Sequence, residues 1–511
     1  MKTDQMHIRQ HFSVGTCAAL TVAAIFLVLA DDPVMGLPQA DIPTATYEPK
    51  PLPAKQPDRS KQFTNLMLAR NRRTLTDSYS ASGQRDATWD ANALALMEGL
   101  ALAMSEQPTA PSSAAMLDLA DACLAAGCKD PLVIYGRSYC LDDLGRSDEA
   151  EAGFRYALKE FEAHEDYSHL RMAYAPLRLA RLMFNRNRQH TGETDRLYAL
   201  NVHWLAESIR RNETLPAEMQ VLLEQLTCSM NEWEHWGYPS EQFQQALVQQ
   251  SKDAVNSISW VRNLILADYH VTVGWNARGT GYADSVTDEG WMEFQKHIST
   301  AASLLRQAYP LHPEFPDAAR RMITVAKAGG TPDSEPARFW FDRAVAADFT
   351  DIMSYQAYAT YLQPRWHGSL RQLLDFGREC LATERYDTPV PGMYMDILDM
   401  IGAELPDPGK LFKNPQIYAD IQKLMARVFE NKRIKPEWMQ SRFACASYWA
   451  GDQETACRYA RELGSRWERY MGRDNPFAVP KEKMIGELKL APEIFGATQK
   501  SPPRFDTTFE Y

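Results

Sequence analysis

"LGRSDEAEAGFRYAL", residues 144–158, is the stretch that decides the fold of this chain. Ala150, Phe154 and Ala157 stand at offsets 0, +4 and +7, the spacing that gathers side chains on one face of a helix. Gly145 lies five residues before Ala150. The same offsets return at Ala337, Phe341 and Ala344 in "EPARFWFDRAVAADF". They return again at Ala301, Leu305 and Ala308 in "AASLLRQAYPLHP", where Pro313 follows Ala308 by five residues. In "WAGDQETACRYARELG", Gly451 and Ala456 keep the glycine-to-alanine spacing, with Ala460 in place of the large residue. The chemistry is simple. Small alanines let the second helix of a hairpin approach the first, and the large residue fills the gap between hairpins. Glycine makes the tight turn and proline stops the helix.

From about residue 62 onward strand signals are nearly absent, and apolar residues recur at three and four positions, as in "AAMLDLADACLAAG" and "YALNVHWLAESIRR". Short Gly, Pro, Asp or Asn breaks separate roughly 20 helices. The expectation is an all-α chain.

The quoted residues resemble the second-helix half of the tetratricopeptide repeat (TPR), most closely at Gly145–Ala157 and Ala301–Pro313. In the first helix Ser138 takes a small-residue position, while Leu141 replaces the usual tyrosine. The copies are scattered rather than even. The resemblance implies a degenerate TPR-like α-solenoid of stacked helical hairpins. "GWNARGTGYADSV", "RAVAADFTDIMSYQAYATYLQPRWHGS" and "FACASYWAGD" are also similar to a bacterial TPR-like family of unknown function, over residues 230–465.

The N-terminus has another character. Residues 12–30, "FSVGTCAALTVAAIFLVLA", carry no charge; Lys2 and Arg9 precede them, and Asp31 and Asp32 follow. Residues 1–30 read as a signal peptide or a transmembrane anchor. Both place the body outside the cytoplasm, in the cell envelope, because basic residues stay inside. Seven prolines fall in residues 31–62, so 31–61 is expected to be an extended, Pro-rich linker. Two helical repeat regions, 62–272 and 273–490, and a tail, 491–511, complete the expected organisation.

The net charge of −11 argues against nucleic acid, which needs a basic face to displace counterions. The one basic cluster, Arg70, Arg72 and Arg73 in "LARNRR", reads as a solvated helix face. Eight cysteines are too few for a disulfide-built scaffold. Cys123 and Cys128 lack the partners of a zinc site. Cys445 and Cys457 lie six residues either side of Gly451, so a hairpin turn there would make the two thiols near neighbours. A bridge would further require a Cα separation below about 7 Å.

"GWNARGTGYA", residues 274–283, looks at first like a phosphate loop. It lacks the Lys-Ser/Thr that a P-loop needs, and neither it nor a dinucleotide fingerprint has a strand leading in. The reading is a structured loop in which Trp275 and Tyr282 fold back on neighbouring helices. Arg278 would pair with a carboxylate or cap a helix end, and Gly279 and Gly281 would supply positive φ. A binding loop is the alternative. "PRWHGS" places Arg365, Trp366, His367 and Ser369 in a turn, with Arg365 expected to stack on Trp366. "HEDYSH" spaces His164 and His169 off a common helix face, as solvated residues. No catalytic, metal or cofactor-binding residue is assigned. The leading expectation is a non-catalytic scaffold that binds a protein or peptide. The rivals are an enzyme or small-molecule binder using residues 274–283 together with the PRWHGS turn, and a structural envelope component.

Overall fold

The computed structural model describes residues 47–251, 259–279, 281, 283–428, 436–467 and 476–491. The apolar run 12–30, most of the linker, Thr280, Tyr282 and nearly all of the tail lie outside the described residues. The fold is all-α, with helices packed on one another and no strand among the described residues. No helix among them is long and apolar enough to cross a membrane.

Contacts divide the chain into two compact units. The first holds Tyr47, Glu48 and Asp58–Asp348. Its helices are α1 (Ser60–Arg72), α2 (Ser78–Ser82), α3 (Asp90–Ala103), α4 (Ser113–Ala125), α5 (Pro131–Asp143), α6 (Ser147–Ala163), α7 (His169–Met172) and α8 (Tyr174–Asn187). After them come α9 (Gly192–Arg210), α10 (Met219–His235), α11 (Ser240–Gln250), α12 (Ser259–Arg278), α13 (Asp288–Ala308), α14 (Asp317–Lys327) and α15 (Ala337–Ala347). Packing mostly follows chain order: α3 on α4, α4 on α5, α5 on α6, α8 on α9, and α10 through α15 in succession.

The α5–α6 hairpin shows how the sequence does this. The Asp130 carboxylate accepts the N–H groups of Leu132 and Val133 at 2.9 and 3.1 Å, and Pro131 fixes the first turn. Gly145, at φ +75°, reverses the chain. The N–H of Arg146 then reaches back to the Leu141 carbonyl at 2.8 Å. On α6, Ala150, Phe154 and Ala157 are all fully buried, and burying a side chain the size of Phe154 contributes about 2–3 kcal/mol. Gly153 stands so close to Ser138 that a Cβ on it would lie 2.1 Å from the Ser138 Oγ. The alanines at 301, 308, 337 and 344, with Leu305 and Phe341, are likewise buried.

The boundary expected between residues 272 and 273 falls inside α12; the units divide at Asp348 and Phe349. Gly274 is not a break. It is buried where α12 meets α13, and a Cβ there would lie 3.2 Å from the Cβ of His297. Its small size serves helix–helix contact.

The second unit holds Pro49–Pro57 and the chain from Phe349 onward. Its helices are α16 (Ile352–Tyr361), α17 (Leu370–Ala382), α18 (Met393–Ala403), α19 (Pro415–Val428), α20 (Pro436–Ala450), α21 (Gln453–Leu463) and α22 (Lys481–Leu488). Gly451, at φ +87°, turns α20 into α21, which pack as a pair. The thiols flanking that turn face different partners. The Cys445 thiol, fully buried, meets the backbone of Val479, and the Cys457 Sγ lies 3.9 Å from the Leu488 carbonyl. No disulfide joins them.

The described end of the Pro-rich segment is docked rather than a spacer. Arg385 Nη1 donates to the carbonyls of Ala54 and Gln56, each at 2.5 Å, and the Phe349 N–H donates to Gln56 Oε1 at 3.3 Å. Proline-rich backbone has few donors of its own, so its carbonyls are open to a guanidinium. In the first unit, the Tyr47 hydroxyl donates to Asp342 Oδ2 at 2.9 Å.

Candidate functional site

The glycine-rich stretch forms a capped helix end. Trp275 and Arg278 are on the last turns of α12, and Gly279, at φ +75°, ends it. Arg278 Nη1 donates to the carbonyls of Gly279 and Gly281 at 3.3 and 3.1 Å, placing a cation at a helix C-terminus. Its guanidinium lies 5.5 Å from the Trp275 ring and 5.2 Å from the Trp291 ring. Trp275 meets Phe294 of α13 edge-on at 4.9 Å. These contacts tie Arg278 to the end of the α12–α13 hairpin.

In the PRWHGS turn, between α16 and α17, Arg365 does not stack on Trp366. Its Nε donates to Gln363 at 2.8 Å and its Nη2 lies 3.6 Å from the Glu404 carboxylate. A carboxylate in reach outcompetes a ring face. His367 stacks on Tyr361 at 4.8 Å instead. The loop belongs to the first unit and the turn to the second.

The two histidines of "HEDYSH" part company. His164 is exposed, but His169 is 1% exposed, with Nδ1 2.7 Å from Glu213 Oε1. The same carboxylate accepts the Ser168 hydroxyl at 2.9 Å and the N–H groups of His169 and Leu170 at 3.0 and 3.1 Å. The Ser168 hydroxyl thus donates to the carboxylate and not to the imidazole, so the cluster is an anchored turn rather than a nucleophile–base pair. No group of three His, Cys, Asp or Glu residues among the described ones is arranged to hold a metal ion.

A different set of residues converges in the first unit. Tyr139 and Asp142 come from α5; Tyr174, Arg178 and Arg181 from α8; Glu224, Cys228 and Glu232 from α10. The spacing 174, 178, 181 lies along one helical face, as does 224, 228, 232. Arg178 sits 4.8 Å over the Tyr139 ring, and Arg178 and Arg181 share Asp142 Oδ2 at 3.8 and 2.5 Å. Two guanidinium groups on one carboxylate leave a positive charge unspent. Across from them stand the α10 acids. Cys228 is exposed, yet desolvation, then Glu224 and Glu232, push its thiol up to about 12. Burial, then Asp317, raises Glu224 to about 7 although solvent reaches it. Groups that are wetted and at the same time crowded by protein form one part-exposed wall of α5, α8 and α10. It carries aromatic faces, cations and acids, the residue types that make binding hot spots.

Beside Gln225 of α10, the basic cluster Arg70, Arg72 and Arg73 departs in part from its expected solvated state. Arg72 is exposed and pairs with Glu98, but Arg70 is only 4% exposed. Its Nη2 donates to Gln225 of α10, and burial lowers its pKa to about 10. Arg171 of α7 is 3% exposed. It donates to Asn71 Oδ1 at 2.7 Å and Thr74 Oγ1 at 3.1 Å, and lies 5.0 Å from the Tyr174 ring. Sequence reasoning passed over the wall residues of α5, α8 and α10. The signal was an aromatic-and-arginine stripe at helical spacing on α8, a helix whose other face is apolar.

No family model and no curated protein matches the chain.

Proposed function

We propose that the protein is a non-catalytic scaffold of the bacterial cell envelope that binds a protein or peptide along the wall formed by α5, α8 and α10. The observation that carries the reading is the convergence of Tyr139, Tyr174, Arg178, Glu224 and Cys228, wetted yet crowded, on that one wall. Packing of helices in chain order, with buried alanines and glycine turns at the repeated offsets, supports a degenerate TPR-like solenoid, whose concave faces serve as binding surfaces. The envelope assignment rests on the charge asymmetry around residues 12–30.

The test is selection of a random peptide library on the full-length chain. Selected peptides should bind a Tyr174→Ala/Arg178→Ala variant at least tenfold more weakly, with helical content unchanged by circular dichroism. A library yielding no peptide that depends on these residues would sink the reading. Capture of partners from membranes with the same variant as control then identifies the natural ligand.

A further inference from the structure

Buried charges in folded proteins are as a rule paired, because an isolated buried ion costs more than the fold recovers. Arg70 and Arg171 break that rule side by side. Neither has a carboxylate within ion-pairing distance among the described residues. Arg70 is held by the Gln225 amide, and Arg171 by an amide, a hydroxyl and the Met104 thioether at 3.1 Å. The Arg171 Nε is buried with no hydrogen-bond partner at all. The nearby acids are engaged otherwise: Glu218 pairs with Arg73, and Glu213 caps α7. The Arg171 guanidinium lies 5.0 Å from the ring of Tyr174, a part-exposed residue one helical turn before Arg178 on α8.

We infer that Arg70 and Arg171 form the seat for a carboxylate of the bound peptide, an Asp or Glu side chain or the chain terminus, entering past Tyr174. The inference rests on the peptide-binding reading and names the group recognised. A guanidinium presents planar, paired donors that match the two oxygens of a carboxylate. The incoming carboxylate supplies the missing counter-charge. The acids of α10 face the wall above, so a peptide with a single acidic residue beside neutral or basic ones complements the whole surface.

The experiment uses the selected peptides and full-length chain. Peptides should share an acidic residue. Changing it to its amide should weaken binding at least tenfold, and raising the salt concentration should weaken the acidic form more than the amide form. Arg70→Met and Arg171→Met should each weaken the acidic peptide at least tenfold while leaving its amide counterpart unaffected. The readout is the difference between the two peptide forms: removing Arg70 or Arg171 also strips Gln225, Asn71 and Thr74 of a donor and lowers the melt somewhat, but a purely structural arginine would weaken acid and amide peptides alike. Should a methionine variant fail to fold, the inference falls for that residue unless Arg→Lys, which keeps charge and loses the paired donors, folds and binds at least threefold more weakly. Groove-dependent peptides that bind equally as acid and amide would overturn the carboxylate seat and leave the peptide-binding reading standing. A phosphoserine in place of the acid binding tenfold tighter would reassign the seat to phosphate. No groove-dependent peptide at all would overturn both.

Discussion

The Nδ1 of His270 lies 2.8 Å from the Nδ1 of His297, joining α12 to α13 beside Gly274. One nitrogen must donate and the other accept, so the contact requires at least one neutral ring. His297 has a carboxylate 3.6 Å from its Nε2, that of Glu293, which Lys296 also contacts at 2.9 Å. Among the described residues no carboxylate lies within ion-pairing distance of His270. Burial, then the charges of His297 and Lys296, hold His270 below its ordinary value of 6.5. A depressed imidazole means that the unfolded chain binds the proton more tightly, so this contribution is present above 6.5 and is lost as pH falls. Urea midpoints should drop between pH 7 and pH 5 in wild type and drop less in His270→Asn. Equal slopes in the two proteins would refute the effect.

Glu224 should act with the opposite sign. Its carboxyl is raised from 4.5 to about 7, so the folded state holds the proton more tightly than the unfolded one. The contribution is full at about pH 4.5 and is lost as pH rises through about 7. Glu224→Gln should therefore be more stable than wild type at pH 8, with the difference shrinking toward pH 4.5. A gap that widens on acidification would contradict the sign.

Gly153→Ala should lower stability by about 1–3 kcal/mol, the usual cost of overpacking, because the added methyl meets Ser138. Pairing it with Ser138→Gly should recover part of the loss. Chemical denaturation of the single and double variants decides. An additive outcome would mean that the two residues do not share the space.

At the end of α12, Gly279→Val forces a β-branched residue to φ +75° and should cost about 1–2 kcal/mol. Arg278→Ala removes a helix cap and contacts to two indole rings, a loss of about 1–2 kcal/mol. The sequence alone suggests that the arginine matters less than the glycine to the fold; the structure makes them comparable. Thermal melts that leave Arg278→Ala at the wild-type midpoint would restore the first view.

The all-α class and the hairpin turns were legible because they are written in local spacing. An alanine at offset 0, a large residue at +4 and a glycine five before fix a face and a turn without reference to anything distant. What stayed hidden depends on partners far along the chain. "LARNRR" looks like a solvated basic face until Gln225, 155 residues away, is known to cover Arg70. Gly274 looks like a break until α13 is known to lie against it. Arg365 and Trp366 are sequence neighbours, but Glu404 competes for the arginine from another helix. The wall of α5, α8 and α10 draws on three separate stretches, and no one of them carries a motif.

The docking of the proline-rich segment orders events in time. Helices that pack on their chain neighbours are complete soon after they are made. Tyr47 must wait for Asp342, 295 residues later, and Ala54 for Arg385, 331 residues later. At about 5–20 residues per second, synthesis leaves the segment without its anchors for about 15–65 s. A stretch made early is settled late, and for that interval it is exposed to whatever handles the nascent chain.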